Sequence, residues 1–195
     1  NGRKIAYQAY GDPDGIPVLA FHGMSSSHLT WETKTPLSIL APGVQLIAID
    51  RPGYGDSTDP PAGYSYSQFV EDLEEFADAL DLHRFCVAGH SSGGPYALAL
   101  AAKLPERVLS CAAISSDPPY NHPRCPDIVR LSDSMASDGK GTFYGRDPVA
   151  KVSKWRRETL ESGDASKRHA WKPGVLGFVT DFALERLPYS FKFED

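Results

Sequence analysis

Gly89-His90-Ser91-Ser92-Gly93-Gly94 is the stretch that decides the fold of this chain. The run Arg84-Phe-Cys-Val-Ala88 precedes it, and the alanine-rich run Pro95-Tyr-Ala-Leu-Ala-Leu-Ala-Ala102 follows. A short strand therefore stops, the chain turns within one or two residues, and a helix begins. So tight a turn brings backbone against backbone, and glycine is required where a Cβ would collide. Ser91, at the apex, projects its side chain clear of the sheet in the G-x-S-x-G pattern. A helix N-terminus directly behind the hydroxyl adds unpaired N–H groups and the positive end of a dipole, a setting that favours an oxyanion.

Upstream, Arg3 to Tyr10 alternates polar and apolar residues, the pattern of an outer strand. Ile16-Pro-Val-Leu-Ala-Phe21 and Val44-Gln-Leu-Ile-Ala-Ile49 are short continuous apolar runs, as in strands buried on both faces. The first ends in His22-Gly23-Met24 and a polar loop to His28, with a short helix expected between Trp31 and Leu40. The second ends in Asp50-Arg-Pro-Gly-Tyr-Gly-Asp-Ser57, whose Pro and two Gly specify a tight loop. Ser65 and Gln68 have capping-box spacing ahead of a helix with the apolar stripe Phe69, Val70, Leu73, Phe76, Ala77 and Leu80. The acidic residues Glu71, Asp72, Glu74 and Glu75 suit the positive end of that helix. Val108 to Ile114 reads as a further buried strand, closing on Ser115-Ser-Asp117.

Buried strands alternating with helices imply a doubly wound, mostly parallel α/β sheet with right-handed crossovers. Ligands of such sheets bind beyond the carboxyl ends of the strands. His22, Asp50, Ser91 and Asp117 all fall there. From Pro118 the texture changes to scattered prolines and charges. Asp147-Pro148 opens a helix to about Ser162, and a second is expected after Pro173 with Val175, Phe178, Val179, Phe182 and Leu187 as its apolar side. The expected division is a core over residues 1–117 and a helical lid over residues 118–195.

A chain of 195 residues can bury one substantial core, and 41% hydrophobic with 23% charged residues places it among globular proteins. A net charge of −5 supplies no basic field, so nucleic acid is excluded as a partner. No run approaches the roughly 20 apolar residues of a membrane span. Three cysteines make no disulfide framework, which favours a reducing, cytoplasmic setting. Cys86 and Cys111 fall in strand-like runs as small core residues, whereas Cys125 lies in a looser, more open stretch. No Cys/His spacing suggests zinc, and no metal or organic cofactor is implied.

Three pieces in this order, Phe21-His-Gly-Met24, Asp50 to Ser57 and Gly89 to Gly94, resemble the α/β-hydrolase superfamily over residues 3 to 117. The resemblance implies Ser91 as nucleophile and the backbone N–H groups of Met24 and Ser92 as the oxyanion hole. Gly23 lets the loop come close, and His22 braces it rather than acting as base. An elbow carrying Ser rather than Asp is similar to those of esterases, lipases and related acyl hydrolases, not epoxide hydrolases or haloalkane dehalogenases. In the family the acid and the catalytic His follow the lid. Leu187 to Asp195 resembles only the approach to the strand bearing that acid, so the last strands are expected to be missing. Asp117 then becomes the candidate acid, and His122 and His169 stand as substitute bases. His28 is expected to line the pocket; His90, inside the elbow, is poorly aimed at its neighbour; His83 sits in a helix–strand loop. Asp50 is expected to organise its own loop through side-chain to backbone bonds.

Two functions stay open on these residues. One is a serine acyl hydrolase acting on a small-molecule ester. The other is a catalytically inactive hydrolase-like domain that binds a ligand or a partner. An uncovered sheet edge favours pairing, so a homodimer or a complementing chain is the expected partner arrangement.

Overall fold

The computed structural model describes residues 2–34, 42–116, 118, 120, 123–127, 148–161, 163–186, 189 and 191. Five strands form one sheet: β1 (Tyr7–Gly11), β2 (Ile16–Phe21), β3 (Val44–Ile49), β4 (Phe85–His90) and β5 (Val108–Ile114), in the order β1-β3-β2-β4-β5. β1 pairs antiparallel with β3, and every other pairing is parallel. The chain goes from β2 to β3 on one side and later returns to β4 on the other. The loops leaving β2 and β4 therefore diverge, and a crevice opens between their carboxyl ends. His22-Gly23-Met24 and Ser91 border that crevice.

Six helices accompany the sheet among the described residues: α1 (Leu29–Lys34), α2 (Tyr66–Ala79), α3 (Gly94–Lys103), α4 (Pro148–Leu160), α5 (Ala165–Ala170) and α6 (Leu176–Arg186). Alternate positions Leu19 and Phe21, Ile47 and Ile49, Phe85 and Val87 share one sheet face, because side chains along a strand alternate. That face meets Phe69, Leu73 and Ala77 of α2 and Tyr96, Ala97 and Leu100 of α3, all fully or nearly fully buried. Ser65 caps α2, its Oγ accepting the Gln68 N–H at 3.3 Å.

A second cluster gathers Val152 of α4, Ala170 of α5, Trp171 and Phe178 of α6 against Tyr54, with Met24 at its margin. Trp171 stacks on Phe178 at 5.4 Å between centroids. α4 and α6 match the expected helices within the described residues, and α5 was not foreseen. It is six residues long, too short to show an apolar period, and is capped by Asp164, whose Oδ1 accepts the Lys167 N–H at 3.0 Å.

Two expectations are corrected. β5 runs where expected but lies at the sheet edge, and past Val108 its residues are exposed, Leu109 by 44% and Ile114 by 46%. Cys111 is exposed with that strand while Cys125 is buried. Of the acids in the first half of α2, Asp72 is buried, paired with Arg3, and accepts the Tyr64 hydroxyl at 2.6 Å. Among the described residues no helix is long and apolar enough to cross a membrane.

Candidate active site

β4 ends at His90, a single 3₁₀ turn covers Ser91–Gly93, and α3 starts at Gly94 with Pro95 in its first turn. Ser91 has φ +52, a left-handed conformation that costs a residue with a Cβ about 1–3 kcal/mol. Such strain persists only where surrounding packing enforces it. The glycines supply that packing: a Cβ on Gly93 would lie 2.7 Å from the His22 carbonyl oxygen, and one on Gly89 would lie 2.5 Å from the Gly93 carbonyl carbon. The elbow can press against the β2 loop only with hydrogen at both positions.

A cavity of about 150 Å³ lies over Ser91, walled by Gly23, Met24, Ser25 and Ser26 from the β2 loop and by Ser166 and Lys167 from α5. His90 also borders it, whereas Ser92 is buried behind Ser91. His28, expected at the pocket, is instead held by Asp50. Its backbone N–H donates to Asp50 Oδ1 at 2.8 Å, and its Nδ1 lies 3.1 Å from Oδ2. The Asp56 N–H also donates to Asp50 Oδ2, at 3.2 Å, so Asp50 ties its own loop to the β2 loop. The candidate acid Asp117 and the substitute base His122 lie outside the described residues. His83 is exposed and pairs with Asp81 at 3.3 Å.

The β2 loop is braced from beneath by His22 together with Arg51 and Asp181, two residues that the sequence did not mark. His22 is fully buried. Its Nδ1–H donates to the Gly23 carbonyl at 2.8 Å and its Nε2 accepts the Arg51 backbone N–H at 3.1 Å, which sets a neutral tautomer. The Arg51 side chain, also fully buried, donates from Nε to the His22 carbonyl at 2.9 Å and from Nη1 to Asp181 of α6 at 2.5 Å. Asp181 further accepts the hydroxyls of Tyr54 at 2.7 Å and Tyr96 at 2.6 Å. Both tyrosine rings stand against the guanidinium, at 5.0 and 4.7 Å. One buried ion pair thus joins the α6 helix, the loop after β3, α3 and the β2 loop.

Burial first, and then the Arg51 charge, push the His22 pKa down to about 3, outweighing the pull of Asp50. An unfolded histidine titrates near 6.5. Between those values the unfolded chain binds a proton that the native chain does not, so stability rises with pH across that window. Acidification below about pH 6.5 is expected to cost up to about 1.4 kcal/mol per pH unit from this group alone. Urea midpoints measured at neutral and mildly acidic pH, for the native chain and His22→Asn, check it. The Asn chain should lose part of the acid slope.

A parallel sheet whose diverging loops enclose a strained serine at a strand-to-helix turn is the architecture of the α/β-hydrolase fold class. The family model described as the alpha/beta hydrolase fold matches residues 16–139. A non-heme chloroperoxidase of Streptomyces lividans is 29% identical over 185 residues, covering 91% of this chain and 67% of that protein. A serine hydrolase-like protein of Danio rerio is 36% identical over 115 residues, covering 58% of this chain and 35% of that protein. Among solved structures, a hydrolase from Pseudomonas aeruginosa superposes with a TM-score of 0.68 at 19% identity, over 96% of this chain and 70% of that one. The chain belongs to the α/β-hydrolase family.

Proposed function

We propose that this chain carries the nucleophile and oxyanion loop of a serine acyl hydrolase for small-molecule esters. Residues 1–117 are its core and residues 118–195 a lid over the pocket. The observation that carries the proposal is Ser91 at φ +52, held beneath the cavity between the β2 loop and the start of α3. Ser91 Oγ attacks the ester carbonyl carbon as a general base takes its proton, and the carbonyl π pair moves onto oxygen. The Met24 and Ser92 N–H groups meet that oxyanion, and losing one such donor costs roughly 3–4 kcal/mol of transition-state stabilisation. Collapse expels the alcohol, which takes the proton back from the base, and water then repeats the sequence on the acyl-enzyme to release the acid. These steps need no cofactor. Asp117 keeps the role of orienting the base.

The cavity of about 150 Å³ is small for a drug-sized ligand. With serine hydroxyls along its walls, it suits a short acyl group. The test is a fluorophosphonate probe on the folded chain, with the adduct mapped by peptide mass spectrometry. An adduct on the Ser91 peptide is the expected result. A folded chain that takes up no probe overturns the proposal in favour of an inactive, ligand-binding hydrolase-like domain. The name of the Streptomyces relative makes peroxide-dependent halide oxidation a second activity to assay on the same preparation.

A further inference from the structure

Three side chains distant in sequence converge beside the pocket. His28 comes from the loop before α1, Asp50 from the end of β3 and His169 from α5, and one ligand atom from each lies within 4.8 Å of the others. Asp50 Oδ2 is the centre: His28 Nδ1 stands 3.1 Å from it and His169 Nδ1 stands 3.9 Å from it. Ligand atoms around a tetrahedral zinc, at bonds of about 2.0–2.2 Å, are about 3.4 Å apart. The two spacings to Asp50 bracket that value. The rings of His28 and His169 are 15% and 18% exposed, which leaves them room to close the remaining edge.

The His169 ring is already set as a ligand would be. Its Nε2 lies 3.0 Å from Asp56 Oδ2. A carboxylate only accepts, so Nε2 is the donor in that contact and Nδ1 is the nitrogen turned to Asp50. That Nδ1 is buried and has no hydrogen-bond partner, and it faces the Asp50 carboxylate. A carboxylate–imidazole pair that fixes the tautomer and leaves the other nitrogen free is the usual support behind a metal-bound histidine. The surrounding charge agrees: Asp50, Asp56 and the Glu32 carboxylate that acts on His28 lie around the cluster, and Lys172 is paired with Asp56.

We propose that His28, Asp50 and His169 form a binding site for a divalent transition-metal cation of the zinc class. Two imidazoles and one carboxylate, with a position left for water, suit such a borderline cation and not calcium or magnesium. Loading ties α5 to the sheet. Because Ser166 and Lys167 of the same helix wall the cavity over Ser91, the bound cation clamps the roof of the pocket.

The test is Co²⁺ titration of the chelator-treated chain, read as visible ligand-field absorption, with Zn²⁺ stoichiometry from equilibrium dialysis. Neither readout depends on Ser91 being a nucleophile. One cation per chain is expected, with a Zn²⁺-dependent rise in melting temperature. His169→Ala and His28→Ala should remove the band, and Asp56→Asn should weaken binding about 10–100-fold. Among the described residues His83, His90 and Cys111 are other exposed donors. His83→Ala and Cys111→Ser should therefore bind as the native chain does. A folded chain, judged by near-UV circular dichroism, that shows no saturable band overturns the proposal. So does a band that survives in His28→Ala/His169→Ala.

Discussion

Ser91→Ala should lower ester turnover by roughly 10⁶-fold, the scale reported when a serine nucleophile is removed from an enzyme that depends on it. The fold should survive, because the hydroxyl is not what holds the elbow. The enforcing contacts are backbone against backbone at Gly89 and Gly93, and they persist in the variant. Ser91→Gly separates chemistry from strain. At φ +52 a glycine relieves the left-handed cost, so this variant should be as inactive as Ser91→Ala yet more stable by about 1 kcal/mol. Short p-nitrophenyl ester assays and thermal melts on the three chains check both parts. Turnover retained in Ser91→Ala would remove Ser91 from the chemistry. A Ser91→Gly chain no more stable than the alanine variant would mean the turn stores no usable strain.

Asp181→Ala is expected to be the most damaging single change to stability outside the strands. The carboxylate accepts from Arg51, Tyr54 and Tyr96, and its loss leaves a fully buried guanidinium without its counter-charge. Breaking a buried pair in this way costs about 3–5 kcal/mol, against a total stability of about 5–15 kcal/mol for a domain. Asp181→Asn keeps an acceptor for one hydroxyl but removes the charge, and should fall between the two. Arg51→Met/Asp181→Leu should recover part of the loss, since removing both charges leaves none buried unpaired. Recovery should be incomplete, because Arg51 also donates to the His22 carbonyl at the start of the β2 loop. Urea denaturation of these chains, with Arg51→Met and Asp181→Leu alone to complete the cycle, measures it, and an additive double variant would show that the two residues are not coupled.

The division of labour between sequence and fold follows from range. Strand, turn and helix at the elbow were legible because their signals are local: an apolar run, glycines at fixed offsets, then an alanine-rich stretch. The capping of α2 by Ser65 and most strand limits were legible for the same reason. Burial was not, since it depends on what lies across a sheet. Thus β5, apolar like its neighbours, is an exposed edge, and Asp72, one of five acids in α2, is the one buried against Arg3 and Tyr64.

The site divides along the same line. Ser91 and the loop His22-Gly23-Met24 could be picked out because each sits at the carboxyl end of a recognisable strand. The bracing of that loop joins Arg51 to Asp181 across 130 positions, and the His28–Asp50–His169 cluster joins the β2 loop to α5. No short spacing announces either. By itself the sequence determined the class of fold, the serine at the turn and the loop that faces it, because neighbouring residues specify turns. Only the tertiary structure decided what supports that serine, since a buried charge or an imidazole lone pair takes its partner from whichever segment packing brings beside it.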